Sequence, residues 1–171
     1  PSFESGALAP NWQSVSQRNH GSWAIGSGSP PAAEGSRYAE AQFDFVDGLV
    51  LYQDVTLPAD GRYTVQAAVG CLLEGAKTPG DFCRLDVTDT SPETIVAPTP
   101  RTDTLASTVQ GLIKPVFAAD GGRGTVAMKD GSAVTIEGKA GQVLRLRAMA
   151  LASSRSIGMT LDNVRLQRET K

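Results

Sequence analysis

A chain of 171 residues that is 40% hydrophobic and 20% charged, with a formal net charge of -2, has apolar matter for one ordinary core and too little charge for a disordered chain. Its 16 Lys and Arg residues are scattered, so no basic stripe is available to neutralise successive phosphates and nucleic acid is excluded as the expected partner. No apolar run approaches the roughly 20 residues that cross a bilayer, so membrane insertion is not expected. The chain begins without Met and without a signal-peptide pattern, and is expected to be one domain, residues 1–171, cut from a larger secreted protein.

Short β-type runs alternate with Gly, Pro, Asp and Asn from end to end, and no stretch keeps a helical period for three turns. The opening Pro1-Ser2-Phe3-Glu4-Ser5-Gly6 leads past Trp12 to a polar stretch at residues 17–22 and then Trp23-Ala24-Ile25. Residues 26–35 read as a long Gly/Ser/Pro loop. Residues 38–45 alternate apolar and polar, Asp47-Gly48 reads as a turn, and residues 49–57 continue as a second strand. A turn at residues 58–61 then feeds a third strand at 62–69, and these three strands are expected at the centre of the fold. Later strands are expected at 82–88, 134–137, 143–150 and 159–166, with a second long loop from Asp89 to about Leu105. The whole pattern predicts an all-β chain of about eight to ten strands, folded as a two-sheet antiparallel β-sandwich.

Two cysteines, Cys71 and Cys83, flank a segment containing Gly75, Pro79 and Gly80 that lets the chain turn back. A disulfide closing this loop would contribute on the order of 3 kcal/mol and imply an oxidising compartment. Two reduced cysteines on neighbouring strands are the alternative. A metal site there is disfavoured, because the one histidine, His20, is distant in sequence.

Catalysis finds little support. His20 lies in Arg18-Asn19-His20-Gly21 and reads as a surface loop residue, and no nucleophile elbow, phosphate loop or dinucleotide fingerprint occurs. Many acids precede turn glycines, as in Asp47-Gly48, Asp60-Gly61, Asp120-Gly121 and Asp130-Gly131, and read as turn formers.

Several motifs in order give the chain a family likeness: Phe3-Glu4 followed by Trp12, the glycine turn in Glu34-Gly35-Ser36-Arg37-Tyr38-Ala39, Leu51-Tyr52-Gln53-Asp54-Val55 with Gly61-Arg62-Tyr63, and the closing Asp162-Asn163-Val164. Together they resemble the galactose-binding-like jelly rolls, which include carbohydrate-binding modules of secreted bacterial polysaccharide-degrading enzymes. The resemblance implies a jelly-roll sandwich and a structural calcium ion joining first and last strands. Its ligands would be Glu4 and Asp162, with carbonyls from Ser2 and from the turn near Ser36; the alternative is that Glu4 and Asp162 hydrogen-bond backbone amides at the sandwich edge.

Sugar sites in such modules stack an exposed aromatic ring on a pyranose face and fix the hydroxyls with planar polar side chains. Phe3, Trp12, Phe43, Phe45, Tyr63, Phe82 and Phe117 read as core. That leaves Trp23 and Tyr52 as platform candidates, with Tyr38 behind them, although Trp23 in Trp23-Ala24-Ile25 also reads as an ordinary inward-facing strand residue. Arg145 and Arg147 alternate with Leu144, Leu146 and Ala148, which places both guanidinium groups on the face opposite the leucines. On a concave face they would clamp an acidic glycan bidentately; on a convex one they would be solvated. The resemblance thus points to a non-catalytic module that holds an appended enzyme on a polysaccharide, outside the cell. The alternative is a structural or adhesive sandwich of a surface or appendage protein with no sugar site.

Overall fold

The computed structural model describes residues 3–8, 10–28, 32–45, 47–71, 82–90, 92, 95, 104–107, 129–130, 134–152 and 157–169. Two antiparallel sheets face each other. Sheet A runs in the order β1 (Gln13–Ser16), β4 (Asp47–Thr56), β10 (Val143–Ala152), β6 (Phe82–Thr88) and β7 (Thr104–Ser107). Sheet B runs β2 (Gly21–Ser27), β3 (Arg37–Phe43), β11 (Ile157–Arg168), β5 (Gly61–Cys71) and β8 (Lys129–Asp130), with β9 (Val134–Gly138) also pairing with β5. The expected all-β sandwich is what the chain forms. No helix among the described residues is long and apolar enough to cross a membrane.

Alternation builds the core between the sheets. Leu49 and Leu51 of β4, Leu144, Leu146, Ala148 and Ala150 of β10, and Cys83, Leu85 and Val87 of β6 face Tyr63, Val65 and Ala67 of β5 and Met159 and Leu161 of β11. Near the start of the chain Phe3 and Trp12 join this core, their ring centroids 5.7 Å apart.

Four expectations require correction. The strands at 38–45, 49–57 and 62–69, expected together at the centre, are divided: β4 belongs to the opposite sheet, and β11 separates β3 from β5. Asp47-Gly48 is no exposed turn, because Asp47 opens β4 and is 1% exposed. The long loop expected at 89–105 ends earlier, since Thr104 and Leu105 are in β7, and the loop expected at 26–35 begins later, since Gly26 and Ser27 complete β2. The short strand β1 follows a two-residue period too briefly to be noticed in sequence.

The last strand carries two irregularities, one against β3 between Ile157 and Thr160 and one against β5 on which its core packing depends. Between Asp162 and Arg165 the register against β5 shifts, and Asn163 has a φ of 51°. Without this bulge Asn163 and Arg165 would follow Leu161 into the core; with it Val164 and Leu166 do. Asn is one of the few residues that take the left-handed conformation cheaply. Asn163→Gly should therefore retain stability, whereas Asn163→Val should lower it by on the order of 1–2 kcal/mol, read by urea unfolding. Equal stabilities for the two variants would remove the bulge argument.

Candidate functional site

The predicted ligand contacts lie in two places, and neither is an open surface. Trp23 points into the core at 5% exposure, because β2 turns that side of its pleat inward. Tyr52, Arg145 and Arg147 do share the outer face of sheet A, opposite the leucines as the alternation requires. That face is closed, however: Tyr52, Arg145 and Arg147 are all buried, and Tyr52 packs with Val50, Met149, Val15 and Ile95. Arg145 donates from Nε and Nη2 to the Asp54 carboxylate at 2.8 and 2.9 Å, and its guanidinium lies 4.8 Å from the centre of the Tyr52 ring. Arg147 donates from Nε and Nη2 to Asp86 at 2.8 and 2.6 Å, and Arg84 lies against the same carboxylate at 2.9 Å. Asp54 and Asp86 are the direct cross-strand partners of Arg145 and Arg147, on either side of β10. The arginines thus meet carboxylates of their own sheet, on β4 and β6, which sequence alternation could not pair with them.

At the chain ends the expected convergence is present. Glu4 Oε1 accepts the backbone amides of Ser36 and Arg37 at 2.9 and 2.8 Å, and Oε2 accepts the Ser36 hydroxyl at 3.1 Å. Asp162 Oδ2 accepts the Glu34 amide at 2.9 Å, so both acids grip one turn from the two ends of the chain. Gly35, with a φ of 71°, leaves room for this grip, since a Cβ there would stand 2.5 Å from the Glu4 carboxylate. Hydrogen bonds from the Ser36 and Arg37 amides hold the Glu4 carboxyl below its ordinary value. Glu4 and Asp162 thus bring two carboxylates to one turn, where the partners they take are backbone amides and the Ser36 hydroxyl. Ser2 lies outside the described residues, and among those described no group of three or more His, Cys, Asp or Glu residues forms a cage.

A different set of residues forms the surface best suited to a ligand. Asp47, at the start of β4, accepts hydrogen bonds from the Ser16 hydroxyl and from the amides of Arg18 (2.9 Å), His20 (2.8 Å) and Gly48 (2.6 Å). It pins the loop at residues 17–20 to the sandwich. The carbonyl of His20 in turn accepts the amides of Asp44 and Phe45 at 2.8 and 3.3 Å, which fixes the second loop to the first. Phe45, expected in the core, instead stands 58% exposed, with the His20 ring edge-on at 6.0 Å. Among the Phe, Trp and Tyr residues whose side chains are described, it is the exposed one. Arg18, Asn19, His20 and Asp44, all exposed, surround it with polar groups of several geometries. The expectation that His20 is a surface residue holds. In a regular strand Phe43 and Phe45 would share one pleat face, but β3 ends at Phe43, and beyond a strand end the parity no longer applies.

No family model matches the chain, and no curated protein matches it significantly. Solved structures are similar to it across almost its full length. TmCBM61, in complex with β-1,4-galactotriose, has a TM-score of 0.56 at 16% identity, with 99% of this chain and 95% of that one covered. The K1 cleaved adhesin domain of Lys-gingipain from Porphyromonas gingivalis W83 has a TM-score of 0.60 at 17% identity, covering 99% and 97%. A structure described for the promiscuous specificity of carbohydrate-binding modules from the β-sandwich superfamily has a TM-score of 0.58 at 13% identity, with 98% of this chain and 60% of that one covered. The chain therefore has a two-sheet β-sandwich fold similar to that of these structures, carbohydrate-binding modules and an adhesin domain among them. Identities this low define the fold and leave function to the site.

The Asp47 anchor has a pH signature. Burial raises its carboxyl, but the Ser16 hydroxyl and the amides of His20, Arg18 and Gly48 outweigh that and leave it below its ordinary value of 3.8. A carboxylate depressed by folding contributes stability above its unfolded value and loses it as pH falls through the folded one. Asp47→Ala should lower stability at pH 7 by on the order of 3 kcal/mol, and the deficit should shrink as the pH falls below 3.8. Urea unfolding across pH reads both, and an equal midpoint at pH 7 would show the loops do not depend on this carboxylate.

Proposed function

We propose that this sandwich is a secreted, non-catalytic carbohydrate-binding module whose stacking platform is Phe45. The observation that carries the reading is a solvent-exposed ring held on two loops that are fastened to each other and to a buried carboxylate. A flat apolar ring suits the C–H face of a pyranose, and Arg18, Asn19, His20 and Asp44 bring donors and acceptors for its hydroxyls. Because the loops are already fixed, little ordering cost would accompany binding. Such a module adds effective concentration to a polysaccharide-active domain of the same parent chain rather than bond cleavage. The fold shared with TmCBM61 supports this reading, and the fold shared with the K1 adhesin domain supports a second, in which the same ring contacts a protein surface.

Two staples belong to the proposal. Calcium at the chain-end junction would be held by Glu4 and Asp162 and would supply a divalent charge joining the first and last segments. A disulfide between Cys71, which ends β5 of sheet B, and Cys83, buried in the core from β6 of sheet A, would tie the two sheets together. No cysteine among the described residues is free.

Affinity electrophoresis against neutral and acidic polysaccharides is the direct test. One polymer class should retard the protein, and Phe45→Ala should weaken that retardation about tenfold or more, while Trp23→Ala should act on stability instead. Retardation indifferent to Phe45→Ala would move the site elsewhere. No retardation by any polymer, with self-association that needs Phe45, would favour the adhesive reading. Chelator should lower the melting temperature by about 5 °C; an unchanged melting curve in chelator, with Glu4→Gln still destabilising, would leave the amide contacts as the whole of the junction.

A further inference from the structure

At the end of the sandwich opposite Phe45, the sheets part to leave a cleft of 540 Å³. It lies where β4 and β10 of sheet A meet the start of β5 and the end of β11. Its walls are Val55, Tyr63, Leu146, Val164 and Leu166, and its size falls within the roughly 300–1,000 Å³ of small-molecule sites. The Asn163 bulge is what turns Val164 and Leu166 into it.

Into this apolar space projects one polar atom that the fold does not satisfy. Gln53 lines the cleft, and its Oε1 is buried with no hydrogen-bond partner among the described residues. Native structures leave few such atoms unpaired, and in a cleft open to solvent a water or a ligand is the partner such an atom can take. The oxygen and nitrogen of a glutamine amide exchange places by a simple flip, so the complementary group is one that can both donate and accept: a hydroxyl. The rim is cationic. Arg165 and Arg168 both border the opening; Arg165 also donates to Asn163 Oδ1 at 2.7 Å and has Glu34 at 3.7 Å. Arg168 is laid across Gly61, where a Cβ would stand 2.8 Å from its Nε, so the guanidinium is seated at the mouth by the backbone it crosses.

We propose that this cleft is a second binding site, for a small hydroxyl-bearing aryl or alkyl carboxylate: the hydroxyl on Gln53, the apolar body between the sheets, the carboxylate at Arg168 with Arg165 beside it. The three features occur in the order in which such a molecule carries them, from the closed end outward. The site stands apart from the platform at Phe45, since β4 runs from Asp47 beside one to Gln53 and Val55 in the other.

The probe is 4-hydroxycinnamate, titrated by isothermal calorimetry and by ligand-observed NMR on the intact chain. It should bind in the range of about 0.1–1 mM. Cinnamate, lacking the hydroxyl, should bind about tenfold more weakly, and Gln53→Leu should erase the difference between the two. Arg168→Ala should weaken the acid about fivefold and leave its methyl ester unchanged. No binding at about 5 mM would overturn the proposal and leave Gln53 to a water; so would binding that Gln53→Leu and a cleft-filling Val164→Phe both leave intact. Polysaccharide retardation of Phe45→Ala is measured separately, so failure of either site leaves the other standing.

Discussion

The bulge at Asn163 is the constraint through which the fold closes. β11 is the last strand in sequence yet lies between β3 and β5, so the registers on both sides are set by it. A regular strand of this length would have carried Asn163 and Arg165 into the core. One residue in the left-handed conformation resets the pleat, and Met159, Leu161, Val164 and Leu166 all face inward. The same residue donates its amide to Asp162 Oδ1 at 2.7 Å while Asp162 Oδ2 holds the Glu34 amide, so the bulge, the turn at 34–37 and Glu4 form one linked structure. Closure of the sheet and the hold on the first residues described are therefore joined through one set of hydrogen bonds.

Buried carboxylates do two different jobs in this sandwich. Asp47 and Asp162 take N–H and O–H donors from loops and so convert flexible backbone into fixed geometry. Asp86 takes arginines, Arg147 and Arg84, within a sheet. Ion pairs of the second kind add little net stability once desolvation is counted, but they are intolerant of misalignment. A slip of one residue between β10 and its neighbours would drive Arg145 and Arg147 between the sheets and put the leucines outside. The Arg–Asp ladder therefore serves register, which explains why cations spaced like a ligand clamp turn out to be enclosed.

The fold class was legible because alternation and turn residues are local signals. Pairing was not, because β4 finds β10 about a hundred residues on and no local pattern records that partner. The two ends of the chain were legible as a pair through the family resemblance, which joins Glu4 to Asp162, and both do reach the turn at 34–37. Among aromatics the reading inverted. Trp23 looked available beside a polar stretch, and Phe45 looked buried beside Phe43, but a strand boundary at Phe43 decides both the end of the pleat and the direction of the next ring. The flanking Asp44 and Asp47 were the available signal, because acids so close to a Phe disfavour a continuing core strand.

What the sandwich offers a ligand follows from how its two ends are finished. At the Asp47 end the loops are cross-fastened, the core is sealed by Trp23 and Phe43, and Phe45 is pushed outward as a rigid surface feature. At the other end the strands run out with the sheets still apart, and Val164, Leu166 and Tyr63 meet across a space that no side chain fills. A sealed end with a protruding ring can meet an extended chain lying across it, whereas an open end can admit only something small enough to enter. On the two proposals one β-sandwich carries two kinds of recognition surface, set at opposite ends of β4.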